Sequence, residues 1–172
     1  LGSALLDAYL HGEAKDCLPV EEIKQAISDT RSPLHELALL MYRKDGVSIA
    51  YAELLHKAER PVLKEMERQN REGSQLYVQF IYERFLEYVM GRAFLCRHTT
   101  LQASDFCEAI GKGNINVVFL GAMRNALIMT SLQEGNFNVL VELAREWGDN
   151  MNIMSLVNDT MSTLIIENYE EE

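Results

Sequence analysis

Apolar residues recur at three- and four-residue spacing along almost the whole chain, with little β-branched alternation and few Pro or Gly, and this pattern predicts helices. We expect about eight of them, in an all-α orthogonal or antiparallel bundle. The first two span 4–11, stopping at Gly12, and 18–29, opening on Leu18-Pro19. A third, over 33–45, opens at Ser32-Pro33, aligns Leu34, Leu37, Leu40 and Met41, and ends at Asp45-Gly46. The fourth covers 47–69, with Ile49, Leu54, Leu55, Ala58, Val62 and Met66 facing inward and a break or kink at Pro61. Its charged second half, 64–71, reads as solvated.

The fifth expected helix, 74–95, is nearly all apolar apart from a stripe in which Gln79, Glu83 and Glu87 fall four apart. A helix so covered packs on several sides and belongs at the centre of the domain. After a loop through Arg97, His98 and Thr99, further helices are expected over 102–110, 115–134 and 137–147, separated by Gly111-Lys112-Gly113 and Gly135-Asn136. The last, 150–168, sets Ile153, Met154, Val157, Met161, Leu164 and Ile165 on one face. Ser155, Asn158, Asp159 and Ser162 lie on the other, so this helix can pack on the core or on a second subunit.

Composition narrows the function. The 172 residues suit one domain, and 48% hydrophobic against 24% charged gives ample apolar surface, some of it available to a partner. With 16 basic and 26 acidic residues the net charge is −10, which repels a phosphate backbone and argues against direct nucleic-acid contact. Cys17, Cys96 and Cys107 have no C-x-x-C spacing, so neither a disulfide framework nor a zinc site is expected. No apolar run approaches the ~20 residues of a bilayer span. Leu1-Gly2-Ser3 reads as a cloning scar, which makes the chain an excised domain. The organisation expected is a helical extension over 4–31, a helical domain over 32–168 and a solvated acidic tail over 169–172.

Candidate chemistry is thin. Glu53 and His56 have the E-x-x-H spacing of di-iron bundles, but a binuclear site needs a second pair. His35-Glu36 lacks the second histidine of a zinc-protease helix, and we expect that histidine on the helix surface. Gly111-Lys112-Gly113 lacks the G-K-[ST] ending of a phosphate loop. Cys96 and His98 lie close together, but no orienting carboxylate stands out. The eight methionines read mainly as core filler. We therefore expect no enzyme, no metal and no cofactor, and an interaction domain instead.

Five landmarks follow one another in order: Tyr42-Arg43-Lys44-Asp45-Gly46 ending an early helix; Gln75-Leu76 to Gly91-Arg92 bounding a long one; Thr99-Thr100-Leu101; Glu134-Gly135-Asn136-Phe137; and Trp147-Gly148-Asp149. Their order and spacing over 34–167 resemble the homology domain of telomeric repeat-binding factors, the TRFH domain. The resemblance implies a nuclear, telomeric homodimer, paired through its first and last family helices, here Leu37, Leu40 and Met41 with Met154, Val157, Met161 and Leu164. A dimer of this kind raises the avidity of a Myb-type DNA-binding module carried elsewhere in the protein. The resemblance also implies docking of short peptides from other telomere proteins, beside Gln79, Glu83 and Glu87. The rival expectation is a monomeric helical adaptor, unrelated to telomeres, that grips a partner peptide or helix.

Overall fold

Across 63–80, eight residues of one strand face eight of the next, although the first strand, 63–70, is made largely of good helix formers. The structure is a computed structural model and describes residues 33–43, 48–50, 63–98, 101–111, 117–134 and 137–169. In chain order these form α1 (Pro33–Arg43), β1 (Ser48–Ala50), β2 (Leu63–Asn70), β3 (Gly73–Phe80), α2 (Glu83–Leu95), α3 (Ala103–Gly111), α4 (Val117–Glu134), α5 (Asn138–Glu146) and α6 (Met151–Tyr169). The sheet is antiparallel in the order β1-β3-β2, with Ser48 opposite Gln79 and Leu63 opposite Phe80.

The all-α expectation is therefore wrong: six helices and a three-stranded sheet make up the described residues. In place of the expected helix over 47–69, the described parts are β1 and β2. The expected helix over 74–95 divides, with β3 before Ile81 and α2 after Tyr82. The physical reason lies in β3. Leu76, Val78 and Phe80 alternate with Gln75, Tyr77 and Gln79, a period of two that puts Val78 and Phe80 in the core. Aromatic and β-branched residues suit that pleat. β2 has the composition of a helix, but eight paired positions against β3 outweigh propensities of a few tenths of a kcal/mol per residue.

A two-residue connection, Arg71-Glu72, joins these strands and delivers the chain to Gly73 at φ 129°, a backbone conformation that side chains disfavour. Two cross-strand contacts support the register: Ser74 donates to the Glu67 carboxylate, and the Arg68 guanidinium lies 4.9 Å from the centre of the Tyr77 ring. The strands carry charge rather than grease toward solvent. Lys64, Glu65, Glu67, Arg68, Arg71 and Glu72 are all exposed, which protects the edge from casual pairing.

The other helices fall where the hydrophobic spacing puts them, to within a residue or two. One core runs through them all, with Phe85 and Phe106 nearly sealed among Leu34, Met41, Met123, Leu127, Leu143 and Ile153. Each large side chain buried there contributes about 1.5–3 kcal/mol relative to exposure. Among the described residues the most extensive helix pairing is α2 on α4. At Gly91 a Cβ would lie 2.7 Å from the Ala122 carbonyl oxygen and 3.3 Å from the Ala126 nitrogen, so the two backbones meet where a side chain would hold them apart. Buried Thr130 and Thr160 satisfy their hydroxyls by donating to the carbonyls four residues earlier, Ala126 and Leu156.

His35, expected on a helix surface, is buried among the core-facing positions of α1. The expected helices over 4–11 and 18–29, the Glu53 and His56 pair, Asp45-Gly46 and Lys112-Gly113 lie outside the described residues.

Candidate functional site: a cleft between α2, α4 and α6

The division of 74–95 into strand and helix separates the expected docking stripe. Gln79 stands on β3, while Glu83 and Glu87 stand on α2, and of the three Glu87 alone lines the cleft between α2, α4 and α6. Glu83 is exposed at the first turn of α2, where its charge complements the helix N-terminus. Glu87, one turn further on, is buried.

A carboxylate under cover needs cationic or hydrogen-bonding partners, and two arginines provide them. Arg84 Nη1 donates to Glu87 Oε2 at 2.8 Å, and Arg124 Nη2 from α4 donates to the same oxygen at 3.4 Å. The Glu87 carboxyl fits because α4 carries Gly121 opposite it, where any Cβ would overlap the carboxyl group. Beside this cluster opens a cleft of about 260 Å³. Arg84 and Glu87 form its α2 side, Val117, Leu120, Gly121 and Arg124 its α4 side, and Ser155, Leu156 and Asp159 its α6 side. Val117, Leu120 and Leu156 give it apolar surface, and Arg84, Glu87, Arg124 and Asp159 give it charge.

Sequence reasoning had not singled out Arg84, Gly121, Arg124 or Asp159. Two signals were there to find. Arg84 and Glu87 are three apart on one helix, a spacing that pairs charges. Gly121 interrupts an otherwise good helix with no cap to make, which marks a close approach.

The residues expected at a dimer interface divide into two groups. Leu37, Met41, Val157 and Leu164 are buried in the core of the single chain, Leu164 at 3% exposure, and Leu40 packs partly buried against that core. Met154 is half-buried and Met161 is 42% exposed. On α6 the covered face is Ile153, Leu156, Val157, Thr160 and Leu164, rotated from the expected one so that Ile165, at 50%, also faces outward.

At the end of α2, His98 Nδ1 lies 3.6 Å from Asp105 Oδ1 on α3, and its ring tilts against Phe94 at 4.7 Å. Asp105 also accepts the Gln102 backbone N–H at 2.9 Å, so it caps α3 while it holds the histidine. Asp105 is a carboxylate neighbour of His98 that the sequence did not reveal, and no contact among the described residues brings the exposed Cys96 thiol to the imidazole. The pair ties α2 to α3. Among the described residues no group of three or more His, Cys, Asp or Glu could hold a metal ion, and no described helix is long and apolar enough to cross a membrane.

Cys107 on α3 is buried, and burial pushes its thiol above the ordinary value of 9.0, with Glu142 and Glu146 of α5 adding to the shift. A thiol reagent at pH 8 is expected to label exposed Cys96 quickly and Cys107 only after unfolding; equal labelling rates in the native protein would contradict this packing. Above pH 9.0 the unfolded thiol ionises before the folded one, so this group lowers stability as pH rises.

No family model, curated protein or solved structure matches this chain.

Proposed function

We propose that this chain is a protein-interaction module that pairs with a second copy of itself through the outer flank of α6. One observation carries the reading. Met151, Met154, Met161 and Ile165 lie within about 80° of one another around the helix, at 100° per residue, and none of them is on its buried face. The buried face already supplies the intramolecular packing, so this second apolar stripe has no part in closing the core. Methionine suits such a surface, because its flexible thioether adapts to whatever it meets. Asn158, also exposed, interrupts the stripe, and a polar residue in an otherwise apolar seam favours one register over its neighbours.

The homodimer of the family resemblance is kept here, with its contact moved outward from Val157 and Leu164 to Met154, Met161 and Ile165. The telomeric and nuclear setting falls outside the proposal. One of the five landmarks behind it is a long helix beginning at Gln75-Leu76, and those residues stand in β3. The later landmarks do lie at helix ends: Glu134 closes α4, and Trp147-Gly148-Asp149 follows α5.

Light scattering across a concentration series tests the pairing. A mass approaching twice that of one chain is expected at tens of micromolar. Replacing Met161 and Ile165 together with Glu should return the mass of a single folded chain, since both side chains already face solvent. A wild type that stays monomeric throughout, or a double variant that still pairs, would remove the proposal.

A further inference from the structure

The cleft between α2, α4 and α6 has unlike charges at its rim and grease between them. Each guanidinium carries five N–H donors, and the contacts to Glu87 engage one from Arg84 and one from Arg124. The Arg84 side chain is 56% exposed. On the α6 side, Asp159 is exposed; the Thr163 hydroxyl donates to its backbone carbonyl, and its carboxylate has no hydrogen-bond or ion-pair partner among the described residues. Between these ends Leu120 and Leu156 form the wall, and Val117 stands at its edge 81% exposed.

From this arrangement we infer that the cleft docks a segment of a partner protein in which one apolar side chain is flanked by a carboxylate on one side and a Lys or Arg on the other. The apolar residue seats on Val117, Leu120 and Leu156, the carboxylate bridges Arg84 and Arg124, and the cation meets Asp159. Size supports a side chain over a free small molecule. The volume of about 260 Å³ lies below the roughly 300–1,000 Å³ of ordinary ligand pockets and suits a single large residue presented by a partner. Charge supports the mixed pattern. A uniformly acidic segment would be repelled by a chain of net charge −10 and would leave Asp159 facing a like charge, while a uniformly basic one would press against the two arginines. This docking is independent of pairing through α6, because Met154, Met161 and Ile165 do not line the cleft.

The test uses the whole chain and a defined set of blocked, fluorescently labelled 12-residue helical peptides. Each carries one Leu, with Glu on one side and Lys on the other at three- or four-residue spacing, in both orders. Binding is read by anisotropy, and its location by amide shifts of Leu120, Gly121, Arg124 and Asp159. One order should bind, with shifts confined to the cleft. Versions with Leu→Ser, Glu→Lys or Lys→Glu should bind about ten-fold more weakly, as expected when an apolar contact is lost or an attractive pair becomes a repulsive one. An Asp159→Lys chain should then prefer the Lys→Glu peptide, a reversal that mere loss of stability cannot produce. Equal binding of all versions, shifts away from the cleft, or no binding by any member would overturn the inference. So would cleft resonances that shift on simple dilution of the chain, which would identify a second copy as the occupant.

Discussion

Replacing Leu164 with Glu is expected to unfold the chain rather than to separate two chains. Leu164 is 3% exposed on the inner face of α6, in one cluster with Ile153, Leu156 and Val157. Placing a carboxylate there without a partner costs about 2–7 kcal/mol by polar-transfer estimates, and the lost apolar burial adds roughly 2 kcal/mol. That sum is comparable with the whole stability of a typical domain, about 5–15 kcal/mol. Circular dichroism and urea titration should show a large fall in the denaturation midpoint or no cooperative transition. A folded Leu164→Glu monomer would mean that this face of α6 meets another molecule after all. Comparison with the Met161 and Ile165 double variant keeps the two outcomes apart, since those side chains are exposed at the start.

Gly91→Val should be the next most damaging single change. The neighbours that a side chain would strike at Gly91 are the Ala122 carbonyl oxygen, 2.7 Å away, the Asn125 Cβ, 3.2 Å away, and the Ala126 nitrogen, 3.3 Å away, all of them in or fixed directly to the backbone of α4. Such atoms cannot swing aside, so the two helices must separate along their closest pairing. Overpacking of a core costs about 1–3 kcal/mol and more where the backbone must move, against which the higher helix propensity of valine returns only a few tenths of a kcal/mol. We expect a loss of about 3 kcal/mol in urea unfolding. Gly121 is the internal control. Its neighbour is the end of the Glu87 side chain, which can rotate, so Gly121→Ala should cost less and act mainly by loosening Glu87 from Arg84 and Arg124. Similar losses from the two substitutions would show that the backbones are not in the contact described.

Most of the helices were legible because their hydrophobic spacing is also their burial pattern. In α1, Leu34, Leu37 and Met41 are three and four apart and all buried. The strands were not legible, for two different physical reasons. In β3 the alternation of Leu76, Val78 and Phe80 was present but overshadowed by the helical spacing of Phe85, Leu86, Val89 and Met90 immediately after it. In β2 there was no local signal at all, since Lys64-Glu65-Met66-Glu67-Arg68 is a run of good helix formers whose strand depends on pairing with β3. The cleft was half legible. Glu87 belongs to the stripe expected to dock peptides and does line the cleft, but that stripe is drawn on a helix that does not include Gln79, and the arginine that reaches Glu87 from α4 is 37 residues away, beyond the reach of any periodicity.

The exposed methionine flank of α6 has a chemical consequence under oxidising conditions. Conversion of Met161 or Met151 to the sulfoxide would turn a greasy contact into a polar one without touching the core, because neither side chain takes part in it. Met123 and Met41, sealed inside, are sheltered from the same reagent. Peroxide would then weaken the proposed pairing before it unfolded the chain, and an enzyme that reduces methionine sulfoxide would reverse the change.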